Sequence, residues 1–304
     1  MELSKTVITA LQGVSVERLA RHVRALEGIR HPAAAPGALE RAGEHIRDML
    51  EGLGYPVRVH EFEDSGRTFP NIIADKPGTR FPAERVILLA HFDTFSVTPG
   101  ADDNASGVAG LLELAEVLRG VTFERTLQFI AVNLEERRDE ADRTSPAMRG
   151  SAALVEHARQ QGWDIRGALV LEGIAYAGDG LPQTFPPGLP SGLPEQGNFI
   201  AVVGNQRSTG LVGAFQESVR QQGLALPLVP MVVPGNGEIL PDARRSDNAP
   251  FWDAGYPALM VTDTANLRNP HYHKPTDTFD TLNLDFAARV CQAAGGAAAL
   301  LAWG

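Results

Sequence analysis

The chain switches repeatedly between two spacings of its apolar residues. Across residues 16–26, Leu19, Val23 and Leu26 fall three and four apart, which predicts an amphipathic helix. Residues 37–53 repeat that spacing and stop at Gly54, a helix-ending residue. Residues 56–63 alternate as a strand does, and 71–74 form a second, short strand. Three largely apolar stretches, 85–90, 127–133 and 168–171, have the pattern of strands buried on both faces. Further strands are expected at 199–203, 226–232 and 257–262. Helices are expected at 104–118, 149–160, 211–221 and 285–303.

Buried strands separated by helices imply an α/β fold: a single-domain α/β/α sandwich over residues 1–304 around a mostly parallel, mixed sheet. Ligands in such sheets bind beyond the carboxyl ends of the strands. Two stretches interrupt the alternation, the charged segment 137–147 and the Pro- and Gly-rich segment 177–197. Long loops of this kind in compact domains often serve as lids or binding loops.

Composition narrows the class. Hydrophobic residues make up 43% and charged residues 21% of the 304, as in ordinary globular proteins. A formal net charge of -10 argues against a nucleic-acid partner, which would call for a basic face. The first 25 residues mix Glu2, Lys5, Glu17, Arg18 and Arg21 among apolar ones, unlike a secretory leader. No run approaches the roughly 18 apolar residues of a membrane span. The one cysteine, Cys291, has no partner for an internal disulfide and sits in an apolar helical stretch. A cytoplasmic protein without membrane or nucleic-acid partners is expected.

Chemistry gathers where the apolar runs end. His91-Phe92-Asp93 closes the first run, with His91 and Asp93 two apart and so on one side of the chain. A carboxylate there can accept the second ring N–H of a histidine and fix its orientation. Asp102-Asp103-Asn104 stands before the helix at 104–118, where Asp and Asn also serve as ordinary caps. Glu135-Glu136 follows the second run, and Glu172 ends the third. His271, His273 and Asp277 follow the strand at 257–262. Each group alone also reads as a solvated loop or a hydrogen-bonded strand end. Together they place imidazole and carboxylate, without thiolate, at the ends of several buried strands. That donor set suits a hydrolytic zinc site better than a structural one.

With these residues in this order, the sequence resembles the co-catalytic di-zinc aminopeptidases of metallopeptidase family 28, whose relatives include glutaminyl cyclases and glutamate carboxypeptidases. The likeness runs from the helix holding Leu39-Glu40-Arg41-Ala42 to the C-terminal helix. It rests on His91-Phe92-Asp93, the stretch 100–107, Glu135-Glu136, Ser246-Asp247, and Tyr272-His273 with Asp277-Thr278. The resemblance implies that Asp103 bridges two zinc ions. It implies that His91 and Glu172 complete one site and Glu136 and His273 the other. Glu135 would be the general base and Asp93 the residue that orients His91. It also implies a cis peptide bond between Asp103 and Asn104. The substrate would be a peptide or aminoacyl derivative, cut after its N-terminal residue.

Three features depart from the family's pattern. Glu172 stands where many members have Asp, as it does in some glutaminyl cyclases. Arg149-Gly150-Ser151 follows the paired glutamates only after the 137–147 insertion. Asn248 replaces the histidine of the usual Ser-Asp-His. Two other functions therefore fit the scaffold, a glutaminyl cyclase with one zinc and a catalytically silent binding protein. Arg137, Arg138, Arg143, Arg149, Arg244, Arg245 and Arg268 lie on loops that either face the site, favouring acidic substrates, or carry solvated charge.

Overall fold

The computed structural model describes residues 2–142, 144–189 and 191–303. Its centre is one eight-stranded sheet built from β1 (Val57–Asp64), β2 (Arg67–Lys76), β3 (Phe81–His91), β4 (Arg125–Val132), β5 (Asp164–Glu172), β6 (Ile200–Asn205), β7 (Leu228–Val233) and β8 (Ala258–Thr262). The strand order is β1-β2-β4-β3-β5-β8-β6-β7. The pairs β3–β4, β3–β5, β5–β8 and β6–β7 are parallel. The pairs β1–β2, β2–β4 and β6–β8 are antiparallel, so the sheet is mixed, as expected. The four strands β4, β3, β5 and β8 lie side by side in one direction, and their carboxyl ends form one edge.

Alternation along these strands divides the core into two layers. Val86, Leu88 and Ala90 of β3 pack on one face with Leu127, Phe129 and Ala131 of β4. Ile87 and Leu89 pack on the other with Ile130 and Val132. The first layer is covered by α1 (Lys5–Gln12), α2 (Val16–Leu26), α3 (Pro36–Gly52), α4 (Gly107–Leu118), α6 (Thr209–Gln222) and α8 (Leu284–Ala302). The second is covered by α5 (Arg149–Gln160) and α7 (Asn248–Asp253). Leu88 and Leu89 are fully buried on opposite faces. Each such leucine contributes roughly 1.5–3 kcal/mol, so a strand of this kind belongs in the middle of the sheet.

Several elements differ from their sequence expectation. The short α1 was not expected. It is only eight residues long, capped by the Ser4 side chain and anchored by Val7 and Leu11. The strand expected at 71–74 runs from 67 to 76, because residues 67–74 form a hairpin with β1 through the Ser65-Gly66 turn. The helix expected from residue 104 starts regularly only at Gly107. Asp103 (φ -106°, ψ 91°) and Asn104 (φ -135°, ψ 38°) are not helical, and residues 101–106 form an irregular turn. Gly107 is required there by close approach. A Cβ would lie 2.3 Å from Asn104 Oδ1 and 2.5 Å from the Leu171 carbonyl oxygen.

Cys291 is fully buried in α8, and burial pushes its thiol well above the usual range. No helix among the described residues is long and apolar enough to cross a membrane.

Candidate metal centre

The parallel strand ends bring the chemistry-bearing residues to one place. His91 is the last residue of β3, Glu172 the last of β5, and Glu135-Glu136 follow β4 closely. Asp103 comes from the irregular turn before α4. His273 arrives on the loop after β8, at φ 57°, a left-handed conformation that costs a non-glycine residue energy and is found mainly where the surroundings enforce it. The peptide bond between Asp103 and Asn104 is cis.

Asp103 lies between two groups of three. His91, Asp103 and Glu172 form one, and Asp103, Glu136 and His273 the other. The His91 Nε2 is 3.2 Å from Asp103 Oδ1 and 3.4 Å from Glu172 Oε1. The His273 Nε2 is 3.0 Å from Asp103 Oδ2 and 3.2 Å from Glu136 Oε1. Each carboxylate oxygen of Asp103 thus faces a different histidine.

Two observations test these residues against a metal. Asp103 Oδ1 and Oδ2, Glu136 Oε1 and His273 Nε2 are buried and make no hydrogen bond, so they approach one another without the geometry of one. Buried polar atoms left in this way are costly unless something else satisfies them. Second, ligands on a tetrahedral zinc at about 2.0–2.1 Å stand roughly 3.3 Å apart. The separations here, 3.0 to 3.4 Å, match that spacing. The donors fit the ion.

The electrostatics agree. Burial pushes Glu136 up to about 7, with Asp103 adding to the rise and His273 opposing it. Burial would lower His273, but Glu136 and Asp103 raise it to about 10. His91 is likewise raised despite its burial, chiefly by Glu172, Asp103 and Asp93. Without a cation, the imidazoles must hold protons to balance the carboxylates. A dication displaces those protons, so its uptake competes with acid.

Neighbouring groups hold these five side chains in place. Asp93 accepts the backbone N–H of Glu135 (3.0 Å) and Glu136 (3.1 Å) and lies 3.4 Å from His91 Nδ1. One carboxylate therefore locates the glutamate pair and abuts the rear of the imidazole. Ser246 Oγ donates to Glu172 Oε2 at 2.6 Å, leaving Oε1 to face His91. Asp277 accepts the N–H of Asp102 (2.9 Å) and of Asp103 (3.2 Å). The His273 ring is stacked between Phe95 and Tyr272, with centroids 3.6 and 3.8 Å away. Glu135 belongs to neither group of three. It is buried beside them, and burial pushes its carboxyl well above the usual range.

Sequence reasoning missed some of this arrangement. Asp102 accepts the Asn269 amide at 2.9 Å and the Ala175 N–H at 3.1 Å, tying the Asp103 turn to two other loops. Ser151 donates to the buried Asp247 at 2.6 Å. The adjacent acidic residues of 102–103 and the Ser246-Asp247 pair were visible, but their long-range partners were not. Asn248 spends its amide on the Ala243 carbonyl (2.9 Å) and opens α7.

Most of the loop arginines are engaged by their own chain. Arg138 pairs with Asp64, Arg149 donates to the Glu136 carbonyl (2.8 Å), Arg244 meets Asp253 (2.7 Å), and Arg268 donates to Gln183 (2.8 Å). Arg137 is half-buried next to Glu136, and Arg143 lies outside the described residues. Arg245 is also engaged, with Asp242 (3.5 Å) and Asn266. It donates to the Tyr272 hydroxyl (3.1 Å) and lines a cavity that reaches Glu172. The cavity is open to solvent on one side. Its walls are mostly apolar: Val203, Met231, Leu240 and Met260 from the sheet side, Phe185 and Leu189 from the 177–197 loop. Glu140 ties the 137–147 insertion to the loop after β3. It accepts the N–H (2.5 Å) and hydroxyl (2.7 Å) of Ser96, next to Phe95.

Comparison with known proteins agrees with this geometry. YfbL of Escherichia coli (strain K12), described as uncharacterized, is 35% identical over 293 residues, covering 91% of this chain and 85% of that one. A probable leucine aminopeptidase of Arthroderma otae is 27% identical over 252 residues, covering 80% of this chain but only 59% of that protein. The crystal structure of a glutaminyl cyclase from Macrostomum lignano superposes with a TM-score of 0.75 at 20% identity, covering 98% of this chain and 92% of that one, which shows a shared fold. The profile of Peptidase family M28 matches residues 71–297, starting after α3, where the resemblance was expected to begin, and ending within α8. The chain belongs to peptidase family M28.

Proposed function

We propose that this protein is a zinc-dependent aminopeptidase, a single catalytic unit that removes the N-terminal residue of peptides by hydrolysis. The observation that carries the reading is the pair of buried triads sharing Asp103, each Asp103 oxygen turned to a different histidine, with Glu135 unligated beside them. His91, Asp103 and Glu172 would hold one zinc ion, and Asp103, Glu136 and His273 the second. When bound, zinc polarises a carbonyl oxygen and makes water acidic enough to lose a proton near neutral pH. The Glu135 carboxylate takes the proton from the attacking water and passes it to the departing amine. Asp93 keeps the Glu135 backbone and the His91 ring in register. The apolar cavity beside Glu172 receives the side chain of the residue to be removed, and loop 177–197 supplies its outer wall.

The two triads favour this reading over a cyclase that needs one zinc. Glu172 in place of Asp is the feature that the cyclase reading shares. For the protein's setting we propose the cytoplasm, since a fold with one cysteine draws nothing from an oxidising compartment.

The test is hydrolysis of a panel of chromogenic aminoacyl amides by the zinc-reconstituted protein, with a chelated sample as blank. Zinc-dependent release is expected, fastest with large apolar residues such as leucine or phenylalanine and slowest with acidic ones. Ring closure of an N-terminal glutamine peptide without amide hydrolysis would establish the cyclase instead. Silence on both with two zinc ions bound would leave a binding protein.

A further inference from the structure

Arg30 is an unusual residue in this fold. It is 3% exposed, yet its guanidinium touches no carboxylate. Instead it is surrounded by main-chain carbonyls. Nε donates to Phe92 O at 2.8 Å, and Nη2 to Gly100 O at 3.0 Å. Nη1 meets the carbonyls of Gly28 (2.9 Å), Pro99 (3.0 Å) and Leu26. The Arg30 main chain is anchored as well. Its N–H donates to Thr94 Oγ1 at 2.9 Å, and its carbonyl accepts the Thr94 N–H at 3.0 Å.

The places it grips matter more than their number. Phe92 lies between His91 and Asp93. Pro99 and Gly100 lead into the turn that carries Asp103, and Asp277 takes the N–H groups of that same turn at Asp102 and Asp103. The entry to the turn is therefore held by a buried cation at the Pro99 and Gly100 carbonyls, and the turn itself by a buried carboxylate at its amides. Gly100 makes the close approach feasible. It sits at φ 61°, and a Cβ there would lie 2.4 Å from Thr94 Cγ2 and 3.0 Å from Arg30 Nη2.

We propose that Arg30 is a positioning residue for the metal centre, fixing the separation of His91 and Asp103 by bridging the main chain on which each is mounted. A planar fork with donors at fixed angles is needed for this. A lysine ammonium, a point charge on a flexible stem, offers at most three donors at no fixed angle where the guanidinium meets five carbonyls. Burial lowers the Arg30 pKa to about 10, while Asp93, Asp277 and Asp103 oppose the fall, so the side chain is charged at neutral pH. Its charge then stands behind the acidic shell of the site as a permanent counter-ion. The inference rests on His91 and Asp103 being zinc ligands.

The test uses the full chain with Arg30→Lys and Arg30→Met. Zinc affinity is measured by competition with a chromophoric chelator, and the visible spectrum of the cobalt-substituted protein reports ligand geometry. Circular dichroism and thermal melting of the apoprotein report folding. Both variants are expected to fold, to bind zinc about 10–100-fold more weakly, and to give altered cobalt bands. Added guanidinium ion at low concentration should restore part of the affinity in Arg30→Met and none in the wild type. Folded variants with wild-type zinc affinity and unchanged cobalt bands would overturn the proposal. So would variants that fail to fold even with guanidinium, since Arg30 would then serve the fold alone. A wild-type chain that binds no zinc would instead remove the ligand assignment beneath it.

Discussion

Glu135→Gln removes most turnover and leaves the zinc content unchanged. A positioned general base is worth roughly 10²–10⁴-fold in rate, and the loss is expected in kcat within that range, with KM little altered. The separation of the two effects follows from the geometry. Glu135 lies outside both groups of potential ligands, so its carboxylate is free to move a proton. Its main chain is held by Asp93 through the 3.0 Å hydrogen bond to its N–H, which glutamine preserves. Its preceding residue, Leu134, adopts φ 57°, so the segment is shaped by its surroundings and a near-isosteric side chain should not disturb it. Burial also raises the Glu135 carboxyl, which moves its basicity toward what neutral-pH catalysis needs. Steady-state kinetics beside metal analysis of the same sample decide the matter. Wild-type turnover in the variant would remove Glu135 from its role.

Asp103→Asn strikes the metals themselves. The carboxylate is the one group common to both triads, and its two oxygens serve one triad each. An amide offers a single acceptor oxygen and turns an N–H donor toward the other cation. Zinc content should fall from two ions per chain to one or none. Lewis-acid assistance is worth several kcal/mol in the transition state. At about 1.4 kcal/mol per decade, activity should fall by roughly 10³-fold or more. The apoprotein is expected to keep its fold, because the six-residue turn is anchored elsewhere, by Asp277 at its amides and by Asn104 Nδ2 donating to the Leu171 carbonyl at 2.8 Å. Two tightly held zinc ions in this variant would show that Asp103 does not bridge.

The expectations that succeeded and those that fell short differ in range along the chain. The central strands β3, β4 and β5 each hold an apolar run, at 86–90, 129–132 and 168–171, legible because a strand segment buried on both faces has no polar side to show. Helix α5 begins and ends where its spacing says it should. His91 and Glu172 stood out because each ends such a run, and Glu135-Glu136 because they follow one closely. What stayed hidden depends on distant partners. Arg30 sits between Ile29 and His31 with nothing local to mark it as buried, and its acceptors include residues 62 to 70 positions away. Ser246 and Glu172 are 74 residues apart. The insertion of β8 between β5 and β6, with β6 running against it, cannot be read from periodicity, which is blind to strand order. The start of α4 was misplaced for a related reason. Residues 101–106 contain the caps and small residues of a helix, but they take another conformation, with Asp277 at the N–H groups of Asp102 and Asp103 and the Leu171 carbonyl at Asn104 Nδ2, partners far away in sequence.

The most direct test of the central claim is an anomalous difference map at the zinc edge, from crystals of the zinc-reconstituted protein. The account predicts two peaks about 3.5–4 Å apart, both touching Asp103, one flanked by His91 and Glu172 and the other by Glu136 and His273. A single peak at one triad would contradict the dinuclear site and support one-zinc chemistry, and peaks away from Asp103 would contradict the assignment as a whole.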